Sequence, residues 1–84
     1  AADVLKTYEY TATSGQTTFT GSDNNSQTLA YTPGAVQVFV NGVLQKLTTD
    51  YTTNNVGTTI TLVNGATTND HVAIVAVFKN NWYW

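Results

Sequence analysis

The side chains able to do chemistry in this 84-residue chain are few, and their spacing decides what they can form. His71 is the only imidazole. Asp70 beside it cannot orient the ring within a strand, because adjacent side chains point to opposite faces. A nucleophilic triad would need Ser14, Ser22 or Ser26 brought to His71, and nothing in the spacing points to that. His71 therefore reads as a solvated residue at a strand start. Asp23-Asn24-Asn25 offers oxygen ligands but lacks the acidic spacing and closing Glu of a calcium loop, so it reads as an Asx-rich turn. Asn24-Asn25-Ser26 also matches the N-glycosylation acceptor pattern, which matters only in a secretory host. With no Cys and one His, a zinc site built from thiolates and imidazoles is out of reach. Gly34, Gly42, Gly57 and Gly65 are spread singly as turn residues and form no phosphate-binding cluster. Tyr8 and Tyr10 share a strand face; a sugar-stacking platform is one use, and core cover with hydroxyls at the rim is the simpler one. No catalytic constellation emerges. The chain is read as a non-enzyme without metal or cofactor.

The elements that position these residues are all extended. The organising stretch is Thr32 to Leu44, where Val36, Val38 and Val40 alternate with Gln37 and Phe39 at the period of a strand. Pro33-Gly34 punctuates the chain before it, and Asn41-Gly42 after it supplies the two φ > 0 residues of a type I′ hairpin turn. These four residues define the fold's central hairpin, with Val43-Leu44 as its return. Further strands are expected over Leu5–Thr13, Thr17–Thr20, more weakly Gln27–Thr32, then Asp50–Thr52, Thr58–Val63 and Val72–Phe78. No window carries a helical period, and threonine, about a fifth of the residues, suits strands. The expectation is an all-β fold: a small antiparallel β-sandwich of about seven to eight short strands, filling residues 1–78.

Composition narrows the partners. Three Lys, no Arg and a net charge of −2 leave no basic patch, so nucleic acid and anionic membrane surfaces are poor partners. No run approaches the length of a membrane-spanning helix. A domain this small has a marginal core, and without cysteine the remaining routes to extra stability are oligomerisation or docking.

Two features offer surfaces for that. Val72, Ile74, Ala76 and Phe78 fall on one face of the last strand and Ala73, Val75 and Val77 on the other, and apolar on both faces reads as buried on both. That strand is either central in the sandwich or meets another chain. Beyond it, residues 79–84 form an aromatic tail after a polar break. Trp82, Tyr83 and Trp84 are either a final strand folded on the chain's own sheet or an anchor for a neighbouring subunit, since buried Trp and Tyr dominate interface hot spots. Ala73, Val75, Val77, Trp82, Tyr83 and Trp84 are the expected interface residues.

The chain resembles a small β module of tailed-phage virion proteins, especially those of cyanobacterial and marine phages. The features that carry this are Tyr10 to Phe19, Leu29 to Leu44 with its Pro-Gly, Val-Phe-Val and Asn-Gly-Val-Leu pieces, Asp50-Tyr51-Thr52, Thr58 to Leu62 and the last apolar strand. Asn69-Asp70 stands where that module often has Gly-Asp, and the aromatic tail lies outside it. The resemblance implies a virion structural protein without catalysis. Lacking coiled-coil heptads and a linker, the chain fits a capsid decoration (cement) protein better than a whole tail fibre. The expected partners are the major capsid protein or other virion subunits, including further copies of itself. The alternative is a receptor- or glycan-binding module of a tail or head fibre, using loops such as Gly21–Ser26.

Overall fold

The computed structural model describes residues 4–78, which form seven strands and no helix. They are β1 (Val4–Thr11), β2 (Thr18–Thr20), β3 (Val36–Val40), β4 (Val43–Leu44), β5 (Tyr51–Thr53), β6 (Thr59–Leu62) and β7 (His71–Phe78). They build two antiparallel sheets, one of four strands in the order β1-β7-β3-β4 and one of three in the order β2-β6-β5. This is the small all-β sandwich expected from the alternating sequence.

The two turns around β3 take the conformations their residues favour. The amide of Ala35 donates to the carbonyl of Thr32 at 2.9 Å across Pro33-Gly34, with Gly34 at φ 84°, as a type II turn requires. Asn41 at φ 51° and Gly42 at φ 82° make the type I′ turn, and Val40 pairs with Val43 directly across it.

β7 is the central strand of the larger sheet. It runs antiparallel to β1 from Val4↔Phe78 to Thr11↔His71, and to β3 from Val36↔Ala76 to Val40↔Val72. Its Val72, Ile74 and Ala76 are fully buried and face Ile60, Leu62, Phe19 and Tyr51 of the second sheet within one core. Tyr10 and Phe19 join the sheets edge to face, ring centroids 5.7 Å apart.

Gln27–Thr32 is not a strand. Leu29 and Tyr31 are buried, which is why the sequence alternates, but each backbone amide finds a partner in a different loop: Leu29 bonds Gly21 and Tyr31 bonds Gly57. Alternation reports burial on one side, and this segment gets its burial without a ladder; a single bridge, Ser22↔Thr28, is all it forms.

That contact fixes Gly57. It has φ 72°, and a Cβ there would lie 1.8 Å from the Tyr31 carbonyl oxygen. At the opposite extreme Thr48, a β-branched residue, is held at φ 68°. The two sites carry opposite predictions. Gly57→Ala should lose about 3 kcal/mol or more, since backbone must move to admit the methyl. Thr48→Gly should gain up to about 1 kcal/mol by relieving a left-handed β-branched residue. Urea midpoints of the two variants check both signs.

Candidate functional site

The surface of interest is the outer face of the four-stranded sheet. Register sets its composition: Thr7, Val75 and Gln37 lie across from one another, as do Glu9, Ala73, Phe39 and Leu44. Ala73 and Val75 lie half-buried among these neighbours. Of the two expectations for β7, the central position is the one seen here, with the inner face buried and Ala73 and Val75 half-buried on the outer one. Leu5 and Leu44 flank the row and are 67% and 57% exposed. A shallow groove of about 410 Å³, lined by Leu5, Gly34, Ala35, Val36, Gln37 and Val75, opens at the end of the sheet where β7 finishes. Val77 pairs with Leu5 through the backbone at this same end. Trp82, Tyr83 and Trp84 lie outside the described residues.

Gly34 borders this groove, directly after Pro33, whereas Asn41 and Gly42 sit at the far end of β3. Asn41 there is tied to the start of β7: its Oδ1 accepts from the His71 amide and its Nδ2 donates to Asp70 Oδ1, both at 2.9 Å. Asp70 Oδ2 also accepts from the Thr67 amide at 2.8 Å. Asp70 is therefore committed to Asn41 and Thr67, and its pKa is lowered by those two bonds, Asn41 first. The His71 ring instead meets Glu9 across the strand, Nε2 to Oε1 at 2.9 Å, with both side chains about half exposed. Sequence reasoning missed this pair because it depends on β1 lying beside β7. Glu9 is held below the usual carboxylate range by that bond and by the Asn25 amide on its other oxygen.

The Asp23 turn does different work from a ligand site. Asp23 is the one buried acidic residue among those described, and its oxygens accept from the amides of Glu9, Asn25 and Gln27 at 2.8–2.9 Å. Burial opposes its charge, but these N–H donors outweigh burial and lower its pKa. A cradle of N–H groups suits an anion, which the carboxylate itself already supplies. Asn24 in turn donates its amide to the Glu9 carbonyl at 2.7 Å, and the Gln27 side chain reaches the Thr7 carbonyl at 3.2 Å. The loop therefore closes the free edge of β1 from Thr7 to Glu9. Asn24 and Asn25, the polar groups available to a glycan, spend their side-chain amides on Thr11 and Glu9.

Tyr8 and Tyr10 turn inward, and their hydroxyls donate to the carbonyls of Ala30 and Gly21 at the rim. The Tyr10 phenol is pushed up to about 12 by burial, with the nearby Asp23 charge adding to it. Neither ring offers a face to solvent.

Two predictions follow from the carboxylates. Glu9, Asp23 and Asp70 all have folded pKa values below their unfolded ones, so each stabilises the fold fully above the ordinary carboxylate range near pH 4 and loses that effect as pH falls through the lowered value. Urea midpoints should stay level from neutral pH down to about pH 5 and drop below about pH 4, and the drop should shrink in Asp23→Asn. Separately, Asp23→Ala should cost about 2 kcal/mol and uncover the β1 edge. Light scattering should then show self-association that rises with concentration beyond that of the parent chain.

Comparison with protein-family models, with curated proteins and with solved structures finds no match to this chain.

Proposed function

We propose that this chain is a structural protein of a phage virion, and specifically a capsid decoration protein that clamps neighbouring major capsid subunits. The observation that carries the reading is the outer face of the four-stranded sheet, where half-buried Ala73 and Val75 run between exposed Leu5 and Leu44. An apolar row of this kind, on a domain without disulfides, gains stability when a partner covers it. The motif set around Pro33-Gly34 and Asn41-Gly42 supports the same reading by resemblance. In this role Ala73, Val75 and Val77 form the sheet contribution to the interface, and Trp82, Tyr83 and Trp84 the anchor. The ends of β1 and β7 lie side by side, so both contributions start from one end of the domain.

Particles carrying the protein should retain their genome to higher temperature than particles lacking it, measured by dye access to released nucleic acid. Equal release temperatures would sink the proposal. Within it, Leu5→Asp should weaken capsid binding about tenfold or more while leaving the melting temperature nearly unchanged, because Leu5 is mostly outside the core. Removing Trp82 to Trp84 should abolish assembly and leave a folded β domain; loss of folding would assign those residues to the core instead. Immunogold label on tail tips rather than the shell would favour the fibre-module reading.

A further inference from the structure

The chain contains two Asn-Gly pairs, Asn41-Gly42 and Asn64-Gly65. An Asn followed by Gly is open to self-modification, because no side chain hinders the next backbone nitrogen from reaching the carboxamide carbon. The structure treats the two pairs oppositely. The Asn41 carboxamide is held at both atoms, by Asp70 and by the His71 amide, and its own backbone amide donates to the His71 carbonyl at 2.8 Å. To cyclise it must first give up both side-chain bonds. Asn64 is exposed in the connection from β6 to β7, and neither its carboxamide nor the Gly65 N–H bonds to any described residue. The flanks are anchored: the Val63 amide donates to Asp50, and Ala66 exchanges bonds with Gln16 and Gly15 at 2.8 and 2.7 Å. Asn64 and Gly65 thus lie between fixed points without a hydrogen bond to any described residue.

We propose that Asn64 is a site of spontaneous deamidation in the folded protein. The Gly65 nitrogen, losing its proton to solvent base, attacks Asn64 Cγ. A bond from that nitrogen to Cγ forms, the bond from Cγ to Nδ2 breaks, and ammonia leaves with a proton from water. The resulting succinimide is opened by a second water to aspartate or isoaspartate. No oxidant, reductant or metal takes part. Either product adds one negative charge to the net −2. Isoaspartate also routes the main chain through the side chain and lengthens it by one methylene. Gly65 has little room for that: a Cβ on it would already lie 2.8 Å from the Gly15 carbonyl oxygen. The modification therefore pushes apart the contact that ties the β1–β2 connection to the β6–β7 connection.

The test incubates the intact protein in mildly alkaline buffer and follows each Asn-Gly peptide by mass spectrometry. Asn64 should convert at least about tenfold faster than Asn41, because breaking even one of the two hydrogen bonds that Asn41 must give up costs about that factor. An acidic form should accumulate in step with Asn64 conversion, and isolated acidic form carrying isoaspartate should melt below the fresh protein. Asn64→Gln should fold normally and fail to form that species. Asp70→Ala, which removes one of the two ties on Asn41, should raise the Asn41 rate several-fold. Equal rates at the two sites in the parent chain, or an unchanged acidic form in Asn64→Gln, would overturn the assignment.

Discussion

The structure depends on one placement: the last strand lies between the first and the third. β7 pairs along eight residues with β1 and along five with β3, so the larger sheet exists only once the end of the described chain has been inserted. Before that, β1 has no strand partner and the β3–β4 hairpin stands alone. Closing contacts of this sequence separation must precede any reward from them, which makes such topologies slow to fold and leaves their edges open meanwhile. It also explains the composition of β7. The inner residues Val72, Ile74 and Ala76 complete the core, while Ala73 and Val75 must sit close between two neighbouring strands whatever lies beyond the sheet.

Because most strands are short, much of the backbone's hydrogen bonding falls to short polar side chains. Asp23 takes the amides around the β1 edge, and Asp70 with Asn41 ties the hairpin turn to the start of β7. Asn54 Oδ1 accepts from the amides of Thr58 and Thr59 and meets the Tyr31 hydroxyl, which also donates to the Thr59 carbonyl. Among the described residues no buried side-chain nitrogen or oxygen lacks a partner. A chain rich in Asn and Thr and poor in Lys and Glu follows from this need. The polar residues are short because they bond the backbone beside them, an arrangement long charged side chains serve badly.

How much of this was legible in the sequence varies with the range of the interaction. The turns at Pro33-Gly34 and Asn41-Gly42 were legible because their geometry is set by the φ preferences of two residues each. The inward faces of β1, β3 and β6 were legible because alternation and burial coincide there, whereas β7 is apolar on both faces and only strand order shows which one meets the core. At Gln27–Thr32 they do not coincide: Leu29 and Tyr31 are buried by loops, so a strand pattern appears without a strand. The pairing of Glu9 with His71 and the meeting of Leu5, Val75 and Gln37 at one groove follow from strand order, which no local pattern encodes. Asp23 read correctly as a turn residue, yet the edge it closes became visible only with β1 beside it.

That closed edge bears on how the domain would associate. A free strand edge invites another chain to extend the sheet, and on β1 the span from Thr7 to Glu9 is already occupied by the Asp23 loop. At the other side of the sheet β4 is only two residues long, too short a template for a stable added strand. With both edges poor, the outer face is the better surface for a partner. Along that face chemistry is graded: Glu9 and His71 hold a solvated hydrogen-bonded pair at one end, while the apolar side chains Leu5 and Val75 border the groove at the other. A partner reading this gradient would meet the apolar end beside the finish of β7, so under the proposed role the clamp forms through the sheet face and the chain that follows it. The hairpin and the Asp23 loop then serve association indirectly, one by holding β3 against β7 and the other by keeping the edge from competing with the face.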